Sequence, residues 1–112
     1  MFPEDQINEL KKIAPNLSVA QEGAIPFILI GGLQLPDGCN PPVVDALLCP
    51  SQRDGYNSTL FYSQQITGCP ARNWNRINRR ILDRSWFAVS WQVSPNLRLA
   101  EMLQVHLKAL RA

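Results

Sequence analysis

The stretch Ile25-Pro26-Phe27-Ile28-Leu29-Ile30-Gly31-Gly32-Leu33-Gln34-Leu35-Pro36-Asp37-Gly38 decides the architecture. Its apolar, β-branched centre is too short for a packed helix and is broken by a glycine pair, so it reads as a buried strand with a bulge or bend at Gly31-Gly32. Leu35-Pro36-Asp37-Gly38 then turns the chain, proline presetting one backbone angle and glycine supplying a positive one. Beyond that turn, Val43-Val44-Asp45-Ala46-Leu47-Leu48-Cys49 is a second buried strand that Pro50 ends. Arg53-Asp54-Gly55 makes a polar turn, and Ser58-Thr59-Leu60-Phe61-Tyr62 has the β-branched and aromatic content of another strand. Upstream, Leu17 to Gln21 supplies the first, and the expected product is an antiparallel β-meander of about four strands.

Helices bracket this meander. Pro3 followed by Glu4 and Asp5, then Ile7, Leu10 and Ile13 on one side with Lys11 and Lys12 near the end, predicts a short amphipathic helix oriented to suit its dipole and stopped by Pro15. At the other end, Leu99, Met102, Leu103, His106, Leu107 and Leu110 recur at helical spacing, with Ser94 or Asn96 as the cap. Between meander and final helix, Gln64 to Trp91 is irregular, carrying Gly68, Pro70, several asparagines, five arginines (Arg72, Arg76, Arg79, Arg80, Arg84) and all three tryptophans. Too long for a connector, it is where function is expected.

A chain of 112 residues, 46% hydrophobic and 18% charged, builds one core, so residues 1–112 are read as a single α+β domain. No apolar run approaches the length of a membrane span, and the start of the chain lacks the pattern of a secretory signal, so a cytoplasmic protein without membrane partners is expected. Three cysteines with no C-x-x-C pair argue for reduced thiols rather than a disulfide framework or zinc, and no metal or cofactor is expected.

Helix, meander, irregular segment and final helix, in that order, resemble the ubiquitin-conjugating enzyme (UBC-like) fold. The likeness is to its compact bacterial members. It is carried by Leu35-Pro36-x-Gly38, the strand around Val44-Asp45-Ala46-Leu47-Leu48, Pro50 with Gly55-Tyr56, Leu60-Phe61-Tyr62, Trp74-x-Arg76-x-x-Arg79-Arg80, and Trp91 through Leu97 before the last helix. The resemblance implies a ubiquitin-like protein and its activating enzyme as partners, with an isopeptidase in the same system. It implies a transferase that accepts the ubiquitin-like protein on a thiol and passes it to an amine. Two departures stand out: Arg80 occupies a position where a histidine is expected, and Asp83 to Trp86 holds no cysteine where the transfer cysteine is expected.

The candidate thiol is therefore Cys69, which follows Gly68, precedes Pro70 and lies near Arg72 and Arg76, a setting that favours a thiolate if the loop is exposed. Cys39, in Gly38-Cys39-Asn40-Pro41-Pro42, is the second candidate, and Cys49 reads as core. Asn73 and Asn78 are candidates for oxyanion or loop support. Trp74, Arg76, Arg79 and Arg80 are candidates for partner docking, since aromatic and arginine residues dominate interfaces. His106 reads as a satisfied core histidine. Two other readings stay open: a UBC-like scaffold without chemistry and, more weakly, a nucleic-acid surface across Arg72 to Arg84. Against the latter, six Lys or Arg face eight Asp or Glu outside that stretch.

Overall fold

Consecutive side chains of a strand point to opposite faces, so the unbroken apolar run Phe27-Ile28-Leu29-Ile30 requires cover on both. A computed structural model of the chain, described at residues 2–53, 55–70, 74 and 76–111, shows how both are covered. Helix α1 (Glu4–Ile13) precedes strands β1 (Leu17–Glu22), β2 (Ile25–Gln34), β3 (Val43–Cys49) and β4 (Thr59–Tyr62). Strands β5 (Arg76–Ile81) and β6 (Arg84–Ala88) follow, then helix α2 (Leu99–Ala109). The fold is α+β with a six-stranded antiparallel sheet in the order β1-β2-β3-β4-β6-β5.

One face of the sheet carries Ile28, Ile30, Val44, Ala46, Leu48, Leu60 and Tyr62. These pack with Leu10 and Ala14 from the α1 end and Leu99, Met102, Leu103 and Leu110 from the α2 end. The opposite face carries Phe27, Leu47, Cys49 and Phe61, and its cover is Ile81, Trp86 and Ala88 of the β5–β6 hairpin. A single pair, Tyr62 with Phe87, joins β4 to β6. From there the hairpin swings across the second face until the Leu82 amide donates to Glu22 Oε1 at 2.9 Å, at the far edge of the sheet.

This hairpin corrects the expectation of an irregular segment from Gln64 to Trp91. Its two turn residues, Leu82 (φ 53°) and Asp83 (φ 61°), both hold left-handed backbone angles, as a tight two-residue turn requires. Neither residue belongs to the glycine-rich pairs that announce such a turn. The conformation is held by side chains flanking the turn as well as by Glu22: Arg80 Nη2 donates to the Asp83 carbonyl at 3.0 Å, and the buried Trp86 indole donates to the Ile81 carbonyl at 3.0 Å. Full burial of Trp86, worth roughly 2–3 kcal/mol, anchors the cover.

Smaller corrections follow the same logic. Ile13 is 38% exposed, and Ala14 takes its place against the sheet. Helix α2 is capped by neither Ser94 nor Asn96: Arg98 occupies the cap position, its amide donating to Glu101 Oε1 at 3.1 Å. Arg98 also clamps the helices together, pairing with Asp5 and Glu9 at 2.8 Å each, while Gln6 Oε1 accepts the Leu99 amide at 3.1 Å. The expected bulge is present: register shifts between Ile30 and Leu33, and Gly32 (φ 63°) donates its amide to Asp45 Oδ1 at 3.1 Å. Among the described residues no helix is long and apolar enough to cross a membrane.

Candidate functional site

The dipeptide Gly-Cys occurs twice, at Gly38-Cys39 and Gly68-Cys69. Gly38 (φ 91°) and Gly68 (φ 80°) both adopt left-handed angles closed to ordinary side chains, so each bends the chain immediately before its cysteine. The two bends are stitched to one another by Asn40 and Thr67, whose amides and carbonyls exchange bonds of 2.8 and 2.9 Å in an antiparallel bridge. They are also in close backbone contact, because a Cβ added to Gly68 would collide with the Gly38 carbonyl oxygen. Cys39 and Cys69 consequently lie close to one another, over the helix-covered face of the sheet and beside Tyr62.

The two sulfurs differ in exposure. Cys39 is 7% exposed, whereas Cys69 is only half-buried. Burial, then the neighbouring Cys69 sulfur, pushes the Cys39 thiol up to about 11, with Arg111 opposing weakly. At neutral pH Cys39 therefore keeps its proton. Burial likewise keeps the Tyr62 hydroxyl protonated, and its ring meets Trp74 at 5.8 Å in a tilted contact that walls the pair. Next to the Cys39 turn, whose amide donates to the Pro36 carbonyl at 3.3 Å, opens a groove of about 410 Å³ lined by Pro36, Gln104, Leu107, Lys108 and Arg111. Its floor is apolar and two cations rim it.

The other residues singled out from sequence are dispersed. Asn73, like Arg72 and Asn75, lies outside the described residues, as does Asp54 of the expected polar turn. Asn78 is an exposed residue of β5 at φ 55°, between Arg76 and Arg79 where the β5–β6 register shifts, and asparagine tolerates that angle. Arg79 and Arg80 are exposed on β5, with Arg80 committed partly to the hairpin turn. Arg76, expected on a docking surface, is instead 4% exposed. Its Nη1 donates to Thr59 Oγ1 at 2.7 Å, and its guanidinium lies 4.9 Å from the Tyr56 ring and 5.2 Å from that of Phe61. It holds the interior together and cannot face a partner. The tryptophans part company: Trp86 is core, and Trp74 is half-buried against Tyr62.

Cys49 is fully buried, as read. His106 is 5% exposed and shares a 2.8 Å hydrogen bond with Ser58 Oγ. Burial, then the charge of Arg76, pulls its pKa down to about 4. Missed from sequence were the pairing of Cys39 with Cys69 and the Lys108 and Arg111 rim. The repeated Gly-Cys was the available signal for the first; the second depends on where α2 lands, which local pattern does not set. Among the described residues no cluster of three metal-ligating side chains occurs. In comparisons with known proteins, the chain matches no family model, no curated protein and no solved structure.

Proposed function

We propose that the chain is a UBC-like protein that accepts a ubiquitin-like protein from an activating enzyme as a thioester on Cys69 and passes it to an amine. One observation carries the choice of residue: of the three cysteines, only Cys69 keeps appreciable solvent access, while Cys39 and Cys49 are buried. A nucleophile must reach a carbonyl carbon on another protein, and a buried sulfur cannot. In the transfer, the Cys69 thiolate attacks the thioester carbonyl on the activating enzyme, a new S–C bond forms, and the enzyme's thiolate leaves. An incoming amine then attacks the Cys69 thioester and releases the Cys69 thiolate. The Cys39 S–H assists as a hydrogen-bond donor to that leaving sulfur.

The order helix, meander, Cys69 segment, final helix supports this reading, as does the groove next to the Cys39 turn, whose apolar floor suits a chain terminus. Arg79 and Arg80 are exposed on β5 and available for acidic surfaces of the partner proteins. The test is incubation with an activating enzyme, ATP and a ubiquitin-like protein. Wild type should give an adduct cleaved by thiols, and Cys69→Ser should lose that thiol sensitivity. No adduct on wild type, or one that Cys69→Ser leaves unchanged, sinks the proposal.

A second reading is a scaffold without chemistry. It is favoured by the fate of Asp83 to Trp86, which forms the turn and start of β6 on the back of the sheet rather than an open active-site loop. If the scaffold reading holds, replacing Cys39 and Cys69 together leaves the complete system active, whereas Arg79→Glu weakens its assembly.

A further inference from the structure

We propose that Cys39 and Cys69 form a redox-active dithiol which a peroxide converts reversibly into an intramolecular disulfide, Cys69 being oxidised first and Cys39 acting as the resolving thiol.

Two glycines in left-handed geometry, Gly38 and Gly68, lie in close backbone contact, and each immediately precedes a cysteine. The Asn40–Thr67 bridge fixes the two segments side by side, with bonds of 2.8 and 2.9 Å, and so holds the two cysteines close to one another. Twenty-nine intervening residues, including β3 and β4, make this a long-range juxtaposition built by the sheet rather than a local accident. The asymmetry of exposure assigns the roles. Half-buried Cys69 meets the oxidant from solvent, and buried Cys39 waits beneath it with its proton retained. Cys49, on the other face of the sheet, takes no part.

The chemistry closes without a cofactor. The Cys69 thiolate attacks one peroxide oxygen; the O–O bond breaks, an S–O bond forms, and hydroxide leaves, so sulfur loses two electrons and peroxide gains them. Cys39 sulfur then attacks the Cys69 sulfenic sulfur, forming the S–S bond and breaking the S–O bond. The departing hydroxide takes the Cys39 proton, and the sum is two thiols plus one peroxide giving one disulfide and two waters. A small thiol restores the dithiol by attack on the more accessible Cys69 sulfur, Cys39 leaving and recovering its proton. The disulfide forms only while Cys69 is free of a thioester, and while it lasts Cys69 cannot accept one.

The experiment is treatment of the folded full chain with one equivalent of hydrogen peroxide, followed by acid quench, denaturation, blocking of remaining thiols and non-reducing peptide mass mapping. The expected result is a linked pair of peptides containing Cys39 and Cys69, one blockable thiol at Cys49, and return of all three thiols on adding a reductant. Cys39→Ser should instead accumulate a sulfenic acid on Cys69, trapped by dimedone, and Cys39→Ala should do the same if serine perturbs folding. Three blockable thiols after treatment, a link between Cys69 residues of two molecules, or sulfinic acid on Cys69 with Cys39 still free would each overturn the proposal. A failed thioester assay with the internal disulfide formed would leave the dithiol standing and count against the conjugation reading alone.

Discussion

Acidifying the protein from pH 7 to pH 4.5 tests the buried pair of Ser58 and His106. His106 stays neutral in the folded state because burial strips a charged imidazole of water and, secondarily, because protonation would place a second cation near Arg76, which together lower its pKa to about 4 from the ordinary 6.5. In the unfolded chain the same imidazole takes a proton below about pH 6.5. The unfolded state therefore binds more protons throughout the window between 6.5 and 4, and stability rises with pH there and falls as pH drops. The His106 contribution is fully present above pH 6.5, and at pH 4.5, two pH units below the ordinary value and still above the folded one, roughly 2–3 kcal/mol of it has gone at about 1.36 kcal/mol per pH unit. With a urea m-value of about 1.5 kcal/mol per molar, the unfolding midpoint falls by roughly 1.5–2 M. Tryptophan fluorescence in urea series at half-unit pH steps reads this directly. His106→Gln, which cannot titrate but can still bond Ser58, should flatten most of the slope between pH 6.5 and 4.5. Equal slopes in wild type and variant, or a wild-type midpoint that does not move, would refute the assignment of His106 as a neutral core residue.

Asp83→Gly should stabilise the hairpin by about 0.5–1 kcal/mol, since Asp83 holds φ 61° and its bond from Arg80 is to the backbone carbonyl, which glycine retains. A rise of a few degrees in melting temperature checks it. Gly68→Ala should cost more than about 1 kcal/mol, because the new methyl group has a left-handed backbone and the Gly38 carbonyl against it; calorimetry on the reduced protein reads the loss. Arg76→Glu should abolish cooperative unfolding or lower the midpoint by several kcal/mol equivalents, about 3 or more, whereas Arg79→Glu on the exposed side of β5 should leave the melt unchanged. Arg98→Ala should lower the melting temperature at low salt, with a gap from wild type that narrows as salt screens its pairs with Asp5 and Glu9.

The parts of the fold that local pattern dictates were readable before any coordinates. Phe27 to Ile30 read as a buried strand, Gly31-Gly32 marked the bulge, and the spacing from Leu99 to Leu110 identified the last helix, though not its cap at Arg98. Arg76 to Ala88 was not readable as a hairpin. Its turn, Leu82-Asp83, lacks a turn signature, and Arg79-Arg80 disguise a strand whose inward residues are Arg76 and Ile81. Tertiary support substitutes there for local propensity. The same gap explains Arg76, which a sequence presents as a surface cation because charged side chains are seldom buried, and which the fold encloses with Thr59, Tyr56 and Phe61. Cys69 stood out by its flanking Gly68 and Pro70, but its neighbour Cys39 comes from the far side of two strands. Sequence separation hid the pairing, and the fold supplies it.

Both the transfer reading and the dithiol depend on one accessible sulfur backed by a second. Limiting iodoacetamide applied to the reduced, folded protein, quenched at intervals and mapped by peptide mass spectrometry, measures that arrangement with no partner present. Cys69 should be alkylated first, Cys39 much more slowly, and Cys49 only after denaturation. Alkylation of Cys39 or Cys49 at the rate of Cys69, or a Cys69 that reacts only in the unfolded chain, would contradict it.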